Sequence, residues 1–505
     1  MKKSTSKVAD KTPGNSILPT SVPQSSSKKS EPFDDDDFTL LEEVAEVTNW
    51  RLIYVTAAVH FLGAIEGALG HMSEWPYLQQ LDPDATVQFY GIATSASKAA
   101  HAFFVLVFAI WSFKFKTIKY PLIVGRLIAI VACCLYMIVE FVPTGRRYIM
   151  MSCYILFDIS ESSSALIRAY IVAVSAPKDR SKAFAVMSFS MTLSIILAPL
   201  IQMAFTLIPY PGYTIIFQNV KFHVYSGPIW VSNFTNFISI GLIICGIKDL
   251  PKKEDVMKKK QRSIFEWEGL KMRIKKVKSS NISWILVFVI WIAKCGESLA
   301  IKSMSTLMSV LMMVQYGWTG TETVRITSIL MAGSGLLSIF IIGNFMFCRL
   351  GTIVQPRFIY LVSITIVTMF FIITFPYKSI GEPAAVYNAT EGTGCDPKKY
   401  TSCEGRIAPQ STLFICSLVV VFGLTMPASG ISLDTIYSKV LGKIDQNVMQ
   451  GAAVILDDVV QVFTPTYASY VYTILGLQPL WLINAIIMGF IVLLWIVMLR
   501  KFKSY

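Results

Sequence analysis

Charge is scarce in this chain. Only 15% of its 505 residues are Asp, Glu, Lys or Arg, where a soluble globular protein carries about 25%. Enzyme signatures are missing as well. There is no Walker loop, no zinc-ligand spacing, no nucleophile elbow and no paired nucleophile and base, so nothing supports an enzyme, a bound metal or a cofactor. Residues 1–48 contain no apolar core of a cleavable signal, and the first spanning helix is expected to serve as the targeting signal.

What the chain has is apolar length. Hydrophobic residues make up 54% of it and the mean hydropathy is +0.56. Runs of about 20 apolar residues recur, each long enough to cross a bilayer core of about 30 Å. They predict an all-α polytopic membrane protein with twelve transmembrane helices, at 52–72, 88–112, 121–142, 148–174, 183–208, 229–247, 283–307, 323–347, 357–376, 411–434, 449–474 and 477–499. The expected organisation is a disordered tail 1–50, a six-helix bundle 51–247, a polar linker 248–282, a second bundle 283–499 with a loop at 377–410, and a tail 500–505.

Most of the 45 Lys and Arg residues fall in the tails and the even-numbered connections, which predicts both termini in the cytosol. The linker alone holds twelve of them, and its apolar positions Ile264, Phe265, Trp267, Leu270, Met272 and Ile274 suggest a helix lying on the inner membrane surface. Anionic membrane lipids account for the net charge of +13, and no nucleic-acid partner is needed. On this topology, of three glycosylation sequons only Asn388-Ala389-Thr390 is placed to carry glycan; Asn281 is cytosolic and Asn233 sits at a membrane edge. Seven of the nine cysteines lie in or beside spans and read as small apolar fillers. Cys395 and Cys403 lie in the polar loop, where an oxidising lumen would allow a bridge.

Ionisable residues inside spans are costly and usually face a cavity or one another. The fourth span reads "LFDISESSSALIR": Asp158, Glu161, Ala165 and Arg168 fall on one stripe of a continuous helix, either as the wall of a polar cavity or as an ion pair that fixes packing. In the seventh, "WIAKCGESLAIK", Lys294 and Glu297 are spaced to pair; Glu297 is the first choice for a titrating or substrate-facing acid, and Lys302 points elsewhere and snorkels. Lys98 and His101 share a face of the second span, and His101 reads either as a titrating group or as a packed polar residue. Arg126 lies near the cytosolic end of the third span, in reach of headgroups. Asp457, Asp458 and Gln461 form a polar patch before Pro465, a possible kink. Glu66 lies among Gly63, Gly67 and Gly70, and the GxxxG spacing of Gly63 and Gly67 permits close helix approach.

Twelve spans divided six and six by a basic loop resemble the major facilitator superfamily, in which two bundles rock about a midplane site. Shorter strings narrow the resemblance. They are Ser73, Trp75, Pro76, Tyr77, Leu78, Gln79, Asp82 and Pro83 in "HMSEWPYLQQLDPDAT", then "YSKVLG" with Gln446 and Gly451, "PLIVGRLIAI", and Gly394-Cys395 with Cys403. From about Trp50 onward the chain resembles the branch containing ceroid lipofuscinosis neuronal protein seven. The resemblance implies an endolysosomal solute carrier or chloride conductor, a luminal cysteine pair, and a seventh-span acid at Glu297. It also has gaps. "AIWSFKFKTIKYP" lacks the Gly, Asp and paired Arg of the usual loop between spans two and three. Tyr154 stands for an Arg, Asp158, Ser160 and Ser162 for glycines, and Asp457 and Gln461 for a Gly and an Arg.

In that setting "DDDDFTLL" acquires a meaning: Asp36 precedes Leu40-Leu41 by four residues, the acidic dileucine address that clathrin adaptors read on a cytosolic tail. The same residues also read as the start of an amphipathic helix. The leading expectation is a lysosomal carrier of a small anionic or proton-coupled solute working by alternating access. An anion channel in the same fold and a non-transporting scaffold or sensor are the alternatives.

Overall fold

The computed structural model describes residues 48–115, 117–176, 179–216, 220–248, 283–348, 350–388, 392–400, 403, 406–442 and 446–504. Asp36, Leu40, Leu41 and residues 249–282 of the basic connection lie outside the described residues.

The first half contains α1 (Trp50–Met72), a short α2 (Glu74–Leu81), α3 (Val87–Phe115), α4 (Lys119–Ile138), α5 (Arg146–Ser162), α6 (Ala165–Val174), α7 (Arg180–Phe205) and α8 (Gly227–Gly246). A hairpin of β1 (Tyr213–Ile216) and β2 (Val220–Phe222) precedes α8. The second half contains α9 (Trp284–Gln315), α10 (Gly320–Phe347), a single turn α11 (Leu350–Ile353), α12 (Pro356–Ile373), α13 (Ser411–Val420), α14 (Met426–Leu441), α15 (Gln446–Leu475) and α16 (Leu477–Met498). Two short strands, β3 (Glu382–Pro383) and β4 (Ile407–Ala408), pair in the loop before α13.

Local chemistry sets several boundaries. Asn49 caps α1 by accepting from the Leu52 amide at 3.2 Å, and Thr319 with Glu322 forms a reciprocal capping box at the start of α10. Pro228 and Pro356 occupy first turns, where a missing N–H costs nothing. Among the described residues ten helical segments are long and apolar enough to cross a membrane. The two passages outside that set are α5–α6 and α15, and both carry acids in mid-span. Low hydropathy there marks polar wall, and twelve passages remain.

The continuous stripe expected over 158–168 does not form. Ser162 and Ser163 donate to the carbonyls of Ile159 (2.6 Å) and Ser160 (2.8 Å), and the Ser163 and Ser164 amides tighten onto Ser160 and Glu161. Such back-bonding competes with the regular helix ladder, and the span breaks between α5 and α6. Arg168 is therefore out of register with Asp158 and Glu161.

In the first half α1 packs on α7 and α8, and α4 on α5 and α8; in the second, α9 packs on α15 and α16, and α12 on α14 and α16. The two most extensive contacts between the halves are α3 with α15 and α7 with α10, and α1 and α2 also reach the second half. We call the face where α1 begins and α16 ends the terminal face, and the opposite one the far face. Toward the far face the halves are knit together. The Thr466 hydroxyl and amide meet the Ser95 hydroxyl at 2.7 and 3.1 Å, and Tyr225 abuts Gly320. The loop before α13 lies over this end. Its Ala385 and Gly394 amides donate to Gln315 and Met313, each at 2.9 Å, and Lys399 donates to the Pro83 carbonyl of the first half. Cys395 and Cys403 are disulfide-bonded there with Cα atoms 5.6 Å apart, and Asn388 is exposed nearby.

Closure depends on Gly91, where any Cβ would strike the Ser469 side chain and lie 2.6 Å from the Pro465 carbonyl. Gly91→Ala is expected to cost about 1–3 kcal/mol through overpacking, read as a lower thermal midpoint in detergent. Gly241→Ala, with nothing within 4 Å, is expected to leave the midpoint unchanged.

Candidate substrate cavity and its charged walls

The first half buries two ion pairs. Arg126, 1% exposed, donates to Glu66 at 3.0 Å and to the Ser164 hydroxyl at 3.2 Å, with Asn236 at 3.5 Å. It therefore does not reach toward headgroups as expected from sequence. It is the counter-ion of Glu66 in the interior, where a lone charge would be prohibitive. Gly63 exists for this side chain, since a Cβ there would collide with the guanidinium, while nothing lies within 4 Å of Gly67. The glycine pair thus makes room for an arginine and not for a neighbouring helix. In the second pair Lys98 meets Asp158 Oδ1 at 2.9 Å, and His101 Nδ1 lies 3.1 Å from the Asp158 carbonyl. Glu161 and Arg168 are exposed, and neither side chain forms a hydrogen bond or ion pair among the described residues.

Two residues of the first half escaped notice in the sequence. His71 Nδ1 lies 2.6 Å from Glu74 Oε1 at the end of α1. The Tyr90 hydroxyl donates to Glu74 at 3.1 Å, and the Tyr154 hydroxyl to its carbonyl at 3.0 Å. Both acid and imidazole stand in the string that carried the family resemblance, which drew attention to its Trp-Pro-Tyr and not to its ionisable members.

The second half contributes a cavity of about 420 Å³. Lys294, Glu297 and Lys302 of α9 face Ser429 and Asp434 of α14 and Asp457 of α15 across it. It widens toward the terminal face, where the Asp434 side chain is 65% exposed. Between α13 and α14 the helix adopts a wide π turn, Val421–Thr425, whose Phe422 and Gly423 carbonyls accept from Ser338 at 3.5 and 3.3 Å. Such bulges recur at functional sites.

The pairing expected between Lys294 and Glu297 is absent. Lys294 turns to Asp434, 3.8 Å away, and Glu297 turns to α12, accepting from the Tyr360 hydroxyl at 3.1 Å. Three residues along a helix is close, but stronger partners on neighbouring helices pull the two side chains apart. Lys302 does not snorkel; it stands in the cavity wall, within electrostatic reach of Lys98, Asp158, Glu74 and Glu161 of the first half. The two halves thus share one polar zone at mid-depth. Asp457 accepts from Gln461 at 3.1 Å and lines the cavity, whereas Asp458 lies within electrostatic reach of His101 and Lys98. Pro465 sits inside an uninterrupted α15, its carbonyl accepting from Ser469 at 2.8 Å.

Three comparisons bear on this arrangement. Residues 47–390 match the Major Facilitator Superfamily, and the chain belongs to that superfamily. It is 23% identical over 453 residues to major facilitator superfamily domain-containing protein 8 of Xenopus laevis, covering 85% of this chain and 87% of that one. It is a divergent relative of that branch. Its fold is similar to that of a bacterial homolog of the human lysosomal transporter Spinster, in an inward-facing, occupied state, with TM-score 0.59 and 11% identity over 90% of this chain and 97% of that one. Similarity extends to a D-xylose–proton symporter, with TM-score 0.58 and 11% identity over 88% and 96% of the two chains. The protein is a multi-pass membrane transporter and not an enzyme.

One expected outcome follows from the buried ion pairs. Glu66→Gln leaves Arg126 buried without a counter-charge, which typically costs about 3–5 kcal/mol. The yield of monodisperse protein in detergent is expected to fall sharply, and to recover in large part when Arg126→Gln is added.

Proposed function

We propose that this chain is an endolysosomal carrier that moves a small anionic or proton-coupled solute by alternating access, with both termini in the cytosol. The observation that carries the reading is Lys302. Its side chain lines the cavity, and among the described residues its ammonium has no hydrogen bond and no carboxylate within ion-pair distance. Lys294 has Asp434 and Lys98 has Asp158, so Lys302 is the cation left free to receive an anionic group. An intramembrane charge without a fixed partner is costly unless function requires it. The volume of about 420 Å³ suits a small molecule. Glu297, hydrogen-bonded to Tyr360 in the same wall, is the acid best situated to exchange a proton as the solute comes and goes. Far-face closure with an opening at the terminal face is the geometry of one end-state of alternating access.

Orientation rests on the basic residues of the terminal-face connections, and location on the string ending in Leu40-Leu41 that clathrin adaptors would read. Replacing Leu40 and Leu41 with Ala is expected to move the protein to the plasma membrane, where uptake and current are measured with acidic outer solution. There Lys302→Gln should lower anionic-solute flux at least tenfold, and Glu297→Gln should flatten its pH dependence. Unchanged flux and pH profile in both variants would sink the site assignment. Sustained chloride current far above carrier turnover would make the cavity a channel instead. A double-alanine variant that stays in lysosomes would remove the leucine pair as sole address.

A further inference from the structure

A second, much smaller space lies in the first half, beside the cavity proper. It has room for about 20 Å³, and His71, Asp158 and Glu161 line it together with Glu66, Glu74 and Arg126. Space for a single water needs about 10–15 Å³, so this pocket takes one water or one ion and nothing larger. One donor atom from each of His71, Asp158 and Glu161 lies within 4.8 Å of the other two. We propose that these three residues bind one first-row divalent metal ion, an imidazole and two carboxylates forming its protein ligands. The inference stands whichever solute the central cavity carries, since binding is measured without transport.

Three features separate this cluster from an ordinary group of acids. Asp158 is 1% exposed, and its Oδ1 is held by Lys98, yet its buried Oδ2 has no hydrogen-bond partner. The neighbouring Ser97 hydroxyl is committed to the Thr94 carbonyl at 2.9 Å. A buried carboxylate oxygen left without a donor is rare in native interiors, and a metal would satisfy it. Second, Glu74 holds His71 through Nδ1 at 2.6 Å, which leaves Nε2 free as a ligand atom. That is the carboxylate–histidine arrangement found behind metal-bound imidazoles, and Glu74 is itself tied by Tyr90 and Tyr154.

Third, the charge is right. Glu66 is paired with Arg126 and Asp158 with Lys98, and Glu161 in the same wall has no cationic partner among the described residues. Ligands at about 2.0–2.2 Å from a metal stand at most about 4.4 Å apart, so the triad must contract slightly. Glu161, exposed and without a side-chain partner among the described residues, can make that movement, and the exposure of His71 and Glu161 gives the ion a path in. Mixed imidazole and carboxylate donors favour ions such as Zn²⁺, Mn²⁺, Fe²⁺ or Co²⁺ over Ca²⁺.

The test uses the purified full chain in detergent, free of any affinity tag and stripped with chelator. Zn²⁺ is titrated by calorimetry and Co²⁺ by its visible absorption. One ion per chain is expected, with Glu161→Gln and His71→Ala each weakening binding tenfold or more. Glu74→Gln, which touches no ion, should weaken it by about 10–100-fold and shift the Co²⁺ spectrum through the altered imidazole. Glu161 has no partner among the described residues, so its replacement leaves the fold intact. The surface acid variant Glu322→Gln should bind as wild type. No binding would overturn the proposal. So would one-to-one binding unmoved by Glu161→Gln and His71→Ala, which would put the ion on other histidines or the free cysteines.

Discussion

The first half of this transporter is arranged around one buried guanidinium. Arg126 on α4 reaches Glu66 on α1, Ser164 at the break between α5 and α6, and Asn236 on α8. Four of the six spans of that half therefore meet at a single side chain. Neither charge of the pair is tolerable alone in a low-dielectric interior, and together they are specific in a way that apolar packing is not. The accommodation is visible in the sequence on both sides of the pair. Gly63 clears the guanidinium, and Gly125, one residue away, clears Ser163, whose Cβ would lie 2.7 Å from any Cβ placed there.

That arrangement decides where the fourth span breaks, and the break decides what faces the cavity. A regular helix would have carried Asp158, Glu161 and Arg168 along one stripe, where they would neutralise one another. The serine turn ends α5 just after Glu161 and restarts the helix at Ala165, so Arg168 departs and the two acids stay. Asp158 then recruits Lys98 from α3, and Glu161 is left facing open space. The acidity of the first-half wall is thus a consequence of the break, and the break is anchored by the arginine.

The second half solves its polar problems differently. It is cross-linked inside by single hydrogen bonds: Trp481 to Thr374 at 2.9 Å, Asn484 to Ser303 at 3.1 Å, Trp291 to Tyr437 at 3.0 Å, and Tyr360 to the Glu297 carboxylate at 3.1 Å. The first three are individually weaker than a buried ion pair and less costly to remake, since a broken one leaves no uncompensated charge. With the π turn in the tenth span, they describe a half whose helices can shift against a stiffer partner. The cavity sits on that softer side, and Lys302 reaches from it into the acidic field of the other.

Much of this was legible in the sequence, and the gaps have physical causes. Hydropathy revealed twelve passages because a bilayer imposes length and apolarity on each one separately, and the charges inside spans marked the residues that line the cavity. Pairings were not legible. Helical spacing led to Lys294 with Glu297 and to Asp158 and Glu161 with Arg168, yet the partners are Asp434, Tyr360 and Lys98, all on other helices. Periodicity says which side chains share a face, but a buried charge chooses the best counter-group within reach in three dimensions, and in a bundle that group is usually across the interface. The same reasoning explains Lys302. On a lone helix a lysine near mid-span gains by snorkelling to the interface; inside this bundle Lys302 stands in the cavity wall, with Asp158, Glu74 and Glu161 of the opposite half in electrostatic reach beside Lys98. A lysine in the wall of a cavity built by one half, within electrostatic reach of the acids of the other, couples the two halves through charge as well as through packing.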